Sequence, residues 1–145
     1  MVQIEKHIKI QSPAGLVFQA LQEPELLKQW LSGFVSSTVI SGGENQIGSK
    51  ALVVIEERGK HQEMTSTLLE HEQDRKLVVD VSNDMIQSKS AYTLMPADGG
   101  TELVHGMAFA MRGIMRPFGF LFKSMVAKKM ENDLAALKQL LEGQV

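Results

Sequence analysis

Cysteine is absent from these 145 residues. Its absence excludes a disulfide framework, a thiolate nucleophile and any cysteine-ligated metal centre, and it fits a reducing compartment. An excess of one charge is lacking too. Fifteen basic and 17 acidic residues leave a net charge of −2, so no global field draws the chain towards nucleic acid. Long apolar runs are also missing. The most apolar stretch, residues 106–122, is interrupted by Arg112, Arg116 and Pro117 and is too short to span a bilayer. The opening segment, MVQIEKHIKIQ, alternates in character and lacks the apolar centre of a signal peptide, so a soluble cytoplasmic protein is expected. No Gly-x-Gly-x-x-Gly, P-loop or Gly-x-Ser-x-Gly pattern occurs, which removes the common nucleotide and serine-hydrolase signatures. His7, His61, His71 and His105 fall in separate strand-like segments, without the i,i+4 helical pair of a zinc helix. Neither a metal nor a cofactor is expected.

What is present suits one ordinary domain spanning 1–145. The hydrophobic fraction is 43% and the charged fraction 22%. A chain of this size buries roughly 68–70% of its unfolded surface, enough for a core without covalent staples. Val2, Ile4, Ile8 and Ile10 share one parity, the period-2 signature of a half-buried strand. Lys6 interrupts the row, and a bulge or strand end is expected there. Ser12-Pro13 reads as an N-cap with proline at the first helical position, opening a short helix over about residues 13–22. Pro24 starts a second, whose apolar side carries Leu26, Leu27, Trp30 and Leu31, and Ser32-Gly33 ends it.

Strands follow over 34–41, 47–57, 61–72, 76–82, 86–95 and 101–111, separated by turn residues roughly every 8–14 positions, as in an antiparallel meander. Residues 96–100 form the last of these connections. Phe118, Phe122, Met125, Met130, Leu134, Leu137 and Leu141 then step at helical spacing, with Lys128, Glu131, Asp133, Lys138 and Glu142 mostly off the stripe. One helix over about residues 115–142, roughly 40 Å long, is expected to cross the sheet. Strand, two short helices, many strands and one long helix make an α+β fold with the helices on one face.

The same order carries a family resemblance. Ile10-x-Ser12-Pro13-Ala14-x-x-Val17-Phe18, Pro24-Glu25-Leu26 leading to Trp30, and Gly48 before a strand occur in turn. They are followed by Tyr92-x-Leu94-x-Pro96, then Gly99-Gly100-Thr101-x-Leu103, and finally Asp133-Leu134-x-x-Leu137-Lys138-x-x-Leu141-Glu142. Together these pieces resemble the START-related (SRPBCC) superfamily of lipid-transfer domains, polyketide cyclases and hydrophobic-ligand carriers. The resemblance implies a helix-grip fold, about seven strands curved around the long helix, with a cavity between them. It does not imply a reaction, because fold-level likeness does not specify chemistry.

Candidate ligand contacts follow from parity within that frame. Leu103, His105, Met107, Phe109 and Met111 are expected to face the helix, with Val104, Gly106, Ala108 and Ala110 outward. Phe118, Leu121, Phe122, Met125 and Val126 stand opposite, and Met64 is grouped with them. Methionine, present nine times, suits a cavity that adapts to an apolar guest. The bland alternative is a loosely packed core. His105 is the one titratable group in the row, able to orient a headgroup or to act as a base, or simply to sit satisfied by a carbonyl. Tyr92 shares its parity with Ser88 and Ser90, and that face is either internal or external. Trp30 locks the second short helix or gates the pocket mouth. Glu70-His71-Glu72 lies beside a turn and is expected to be solvated.

Arg112, Arg116, Lys123, Lys128 and Lys129, interleaved with apolar residues, read as a solvated basic face or as a peripheral contact with an anionic membrane. The expected function is binding or transport of an apolar small molecule or lipid. A cyclase- or dehydratase-like enzyme using His105 and Tyr92 is the alternative, and a co-chaperone-like interaction module the second.

Overall fold

The computed structural model describes residues 1–143. Strand β1 (Val2–Ile10) is followed by helices α1 (Ala14–Gln22) and α2 (Pro24–Trp30). Then come β2 (Phe34–Ser41), β3 (Lys50–Glu57), β4 (Lys60–Glu72), β5 (Lys76–Ser82), β6 (Ile86–Ala97) and β7 (Gly100–Met111). A 3₁₀ segment (Gly113–Phe122) leads into α3 (Lys123–Glu142). The seven strands form one sheet in the order β1-β7-β6-β5-β4-β3-β2, antiparallel throughout. Only the β1–β7 pairing is distant in sequence; turns of two or three residues join the rest, except for an eight-residue loop between β2 and β3. At the β3–β4 turn, Arg58 (φ 52°) and Gly59 (φ 78°) both take positive φ, as a two-residue hairpin with the sheet's own twist requires.

Register decides which side chains face α3. Ile4, Ile8 and Ile10 of β1 stand opposite Met107, Leu103 and Thr101 of β7. Lys6 is opposite His105 with no break in register, so the bulge expected at Lys6 does not occur. Its side chain instead reaches α3, where Nζ lies 2.9 Å from Glu131 Oε1, and the strand keeps its alternation. Ser88, Ser90 and Tyr92 of β6 pair with Phe109, Met107 and His105, which places Tyr92's face inward. A bulge does occur in β4, between Leu68 and Glu70. The extra residue reverses parity beyond it and turns His71 inward. His71 Nε2 sits 3.1 Å from Gln22 Oε1 and its ring meets Phe18 edge-on at 5.2 Å, so it is a packing residue and not the solvated one expected.

Two more local expectations are corrected. Ser12 does not cap α1. It is buried, its N–H donates to Ile10 O, and its carbonyl accepts from Thr101 Oγ1 at 2.8 Å, while Pro13 takes the N-cap position. Ser12 is thereby used to join β1 to β7. The long helix is also shorter than expected. It runs for 20 residues, about 30 Å at 1.5 Å each, because the chain before it winds as a 3₁₀ segment. Pro117 inside that segment has no N–H to give and clashes with an α-helical turn before it.

Polar ties run the length of α3. Besides Lys6–Glu131, Lys138 Nζ donates to Lys9 O (2.7 Å) and Glu142 Oε2 accepts from Gln11 N (2.8 Å). The helix therefore lies along β1 and against α1 and α2. The apolar interior is split in two. One cluster joins Phe18, Leu21, Trp30, Leu77, Leu94, Leu103, Leu134 and Leu137, and the other joins Ile4, Phe109 and Met130 with Phe122 and Val126. No helix among the described residues is long and apolar enough to cross a membrane.

Gly100 marks the tightest point of the frame. A Cβ there would lie 2.2 Å from Ile10 O, in backbone that cannot yield without parting β1 from β7. Gly100→Ala is expected to cost at least about 2 kcal/mol in urea unfolding. An unchanged midpoint would show that this junction is looser than described.

Candidate functional site

The two apolar clusters are separated by polar side chains at one level. On β7, Leu103 belongs to the first cluster, Phe109 to the second, and His105 lies between them. On β1, Lys6 stands at the same level. On α3, Asp133 follows Met130 and precedes Leu134, and it is buried although its position was expected to lie off the stripe. Its carboxylate accepts from Ser32 N (3.2 Å) and from Lys129 Nζ (2.6 Å), which secures α3 to the α2–β2 junction. A burial signal was present in the spacing: Asp133 is three residues after Met130 and four before Leu137.

His105 is treated differently. It is 8% exposed, and its Nε2 is the one buried side-chain nitrogen or oxygen without a hydrogen-bond partner among the described residues. Leaving such a group unpaired costs about 1–3 kcal/mol, so a buried water or the polar group of a guest is expected to complete it. Tyr92 lies against it, with ring centroids 4.2 Å apart and planes 15° from parallel. The two are directly opposed across β6 and β7. Because the rings are stacked, their polar edges leave the stack sideways, and no hydrogen bond joins them among the described residues.

Burial, followed by the charge of Lys129, pushes the His105 imidazole down to about 4. Burial, followed by the charge of Asp133, raises the Tyr92 phenol above its ordinary value. Both groups are therefore neutral near pH 7. The pair offers an imidazole with one N–H and one lone pair beside a phenol that keeps its proton, suited to a carbonyl or hydroxyl guest. Among the described residues no group of three His, Asp or Glu side chains could hold a metal ion.

The floor beside this pair is the inner face of β2–β5. By register, Ser37, Ala51, Ser66, Leu68, Val79 and Val81 point inward, as does Ser90 on the adjoining β6, and all are only half-buried. Val53 and Met64, opposite each other, are buried yet belong to neither cluster. Met107 is half-buried at the rim of the second cluster, where Phe122 also packs on the side of Phe109. Leu103 and Phe109 are fully buried. Trp30 is packed in the first cluster, and its Nε1 donates to Ala20 O at 2.9 Å. Phe118, Leu121 and Met125, expected opposite β7, are exposed instead. The 3₁₀ winding around Pro117 sets Phe118 and Leu121 out of phase with the buried stripe that begins at Met130. Met125, in α3 itself, lies five residues before Met130 and so off that stripe. Two clefts of about 450 and 410 Å³ open elsewhere on the surface, one lined by Ile8, Lys138 and Gln139 and one by Gly15, Gln22 and Asp74.

The depressed imidazole makes acid stability a direct readout. In the unfolded chain the group titrates near 6.5, and in the fold near 4. The folded value is the lower, so its contribution is complete above about pH 6.5 and falls away towards pH 4, roughly 3 kcal/mol in all. Glu131 and Glu142, lowered from 4.5 mainly by Lys6 and by the Gln11 N–H, act only below that window's lower part. Urea midpoints measured between pH 6.5 and 5 are expected to fall for the wild type and to fall less for His105→Leu. Parallel slopes would place the imidazole in solvent.

The fold has counterparts. The family model described as "Polyketide cyclase / dehydrase and lipid transport" matches residues 1–142. The solved structure of Ara h 8.0201 superimposes with a TM-score of 0.78 at 17% identity, covering 98% of both chains. Protein NE0264 from Nitrosomonas europaea gives 0.79 at 17% identity, covering 99% of this chain and 96% of that one. The di-domain ARO/CYC StfQ from the steffimycin biosynthetic pathway gives 0.78 at 11% identity, with 99% of this chain covering 51% of that one. No curated protein matches the sequence well enough to count as a relative. At these identities the structures show the shared helix-grip architecture, and the whole-length family match settles membership: the chain belongs to the polyketide cyclase, dehydrase and lipid transport family of START-related proteins.

Proposed function

We propose that this protein binds an apolar small molecule or lipid bearing one polar group, on the inner face of the sheet beside α3. One observation carries the reading: the unpartnered Nε2 of His105 lies on a sheet face that is closed on the side of Tyr92 and Leu103 but only half-buried at Met107, Ser90, Val79 and Ser66. A fully interlocked core would bury those residues and would satisfy or exclude the imidazole. The family's description, which includes lipid transport, supports the same class of guest. Met64, Met107 and Phe122 would adapt around the apolar body, and His105 and Tyr92 would take the polar end. Leu103 and Phe109, on the same face of β7 as His105, and Trp30 pack the closed part of the wall. The absence of cysteine is in keeping with a cytoplasmic setting.

Magnitudes allow useful affinity. Removing roughly 400 Å² of guest surface from water is worth about 10 kcal/mol. Association removes at least about 4 kcal/mol of this. Dissociation constants then fall in the tens of micromolar. A hydrogen bond from the guest to His105 would tighten this several-fold, about 1 kcal/mol.

The enzymatic reading draws on the same two rings, since 4.2 Å is close enough for one substrate to touch both. Stacking argues against proton exchange between them. A cyclase or dehydratase would need the substrate itself to bridge their edges.

The test is uptake. Mass spectrometry of the purified protein under native conditions is expected to find a co-purifying apolar molecule, or capture of an added one. Ser66→Phe with Ser90→Phe fills the inner face and is expected to reduce uptake of an anilinonaphthalene dye at least about tenfold, with stability changed by under about 1 kcal/mol. His105→Leu is expected to weaken a long-chain ketone about fivefold and to leave a pure hydrocarbon unaffected. Undiminished uptake by the filled variant would reject the reading.

A further inference from the structure

The 3₁₀ segment is built unlike the rest of the surface. Of its ten residues only Gly119 is buried, against Met111 and Val2 where β7 ends and β1 begins. With three residues per turn, Gly119 and the half-buried Phe122 occupy one face. The other two faces, Ile114-Pro117-Phe120 and Met115-Phe118-Leu121, meet solvent. Ile114 is 88% exposed, Phe120 64% and Leu121 63%. Large apolar side chains gathered this way along about 20 Å of helix mark an interaction surface rather than scattered exposure.

Charge says what the surface meets. From residue 103 to residue 130 the chain carries Arg112, Arg116, Lys123, Lys128 and Lys129 and no Asp or Glu, in a protein whose net charge is −2. Lys129 is engaged by Asp133, and Lys128 lies 3.9 Å from Glu131. Arg112, Arg116 and Lys123 form no ion pair among the described residues. A second copy of the chain fits poorly, because a two-fold contact would set this positive surface against itself. An anionic lipid surface satisfies both halves of the pattern, with an apolar boundary for the ridge and phosphates for the flanking cations.

We propose that the 3₁₀ segment and the first turn of α3 form a docking surface for an anionic membrane. Ile114, Phe120 and Leu121 enter the acyl boundary, while Arg112, Arg116 and Lys123 hold lipid phosphates. The segment lies in the interface and does not span it. Its exposed faces carry none of the His105 wall, and the proposal does not depend on what that wall binds.

Vesicle flotation of the full-length protein tests it. The protein is expected to float with vesicles of phosphatidylcholine and phosphatidylglycerol in equal parts and not with phosphatidylcholine alone. Binding is expected to fall more than about tenfold as salt rises from about 0.05 to about 0.5 M, because screening shortens the reach of each cation. R112A/R116A is expected to lose about 30-fold in partitioning, roughly fivefold for each charge removed. F120S/L121S is expected to lose at least about tenfold while its melting curve and dye uptake match the wild type. Equal flotation with both vesicle types would overturn the proposal, as would wild-type binding by either double variant. So would indifference to vesicles accompanied by a dimer that F120S/L121S abolishes.

Discussion

An interior polar level divides this protein, and most of its behaviour follows from how that level is satisfied. Lys6 on β1, His105 on β7 and Asp133 on α3 each interrupt an apolar row between the same two clusters. Lys6 reaches out to Glu131, and Asp133 is met by Ser32 and Lys129. His105 alone is left with a free nitrogen. Such an arrangement costs stability in the free protein unless something outside the chain completes it. The cost is tolerable because burial keeps the imidazole uncharged, so an unpaired dipole is buried and not an unpaired charge.

The same ties determine where space is left. Lys6–Glu131, Lys138–Lys9 and Gln11–Glu142 hold α3 along β1, at one side of a seven-strand sheet. A helix anchored there, with α1 and α2 beneath it, covers the β1–β7–β6 side and leaves the inner residues of β2–β5 partly in contact with solvent. Small side chains, Ala51 and Ser66, keep that floor low. Apolar area and a few orienting polar groups thus coexist on one wall, the composition expected of a small-molecule site.

Much of this was legible in the sequence, and the failures have physical causes. Strict alternation in β7 placed Leu103, His105 and Phe109 on one face, because a period of two leaves no freedom once one face is buried. The element order and the START-like motifs were sufficient for the architecture. Parity could not decide the side of Tyr92, since it says which residues share a face and not which face is inside; register with His105 decides it. The inward side of His71 is not legible in the sequence, because the β4 bulge has no mark that parity can use. Helical spacing also carried the last helix too far. Apolar residues recur through 118–125, but Pro117 imposes a tighter winding that turns Phe118 and Leu121 outward, and Met125 lies off the helical phase of Met130. The charge of Asp133 points to solvent while its helical phase puts it on the buried stripe, and the phase prevails.

Nitrogen-15 imidazole spectra, recorded while a long-chain ketone is added, test the central claim most directly. His105 is predicted to be neutral in the free protein down to about pH 5, well below the range of an open imidazole. Its nitrogens should then shift on addition of the guest, while those of His7 and His61 stay still. An imidazole that titrates near 6.5, or one indifferent to every apolar guest, would contradict the account and leave only the fold.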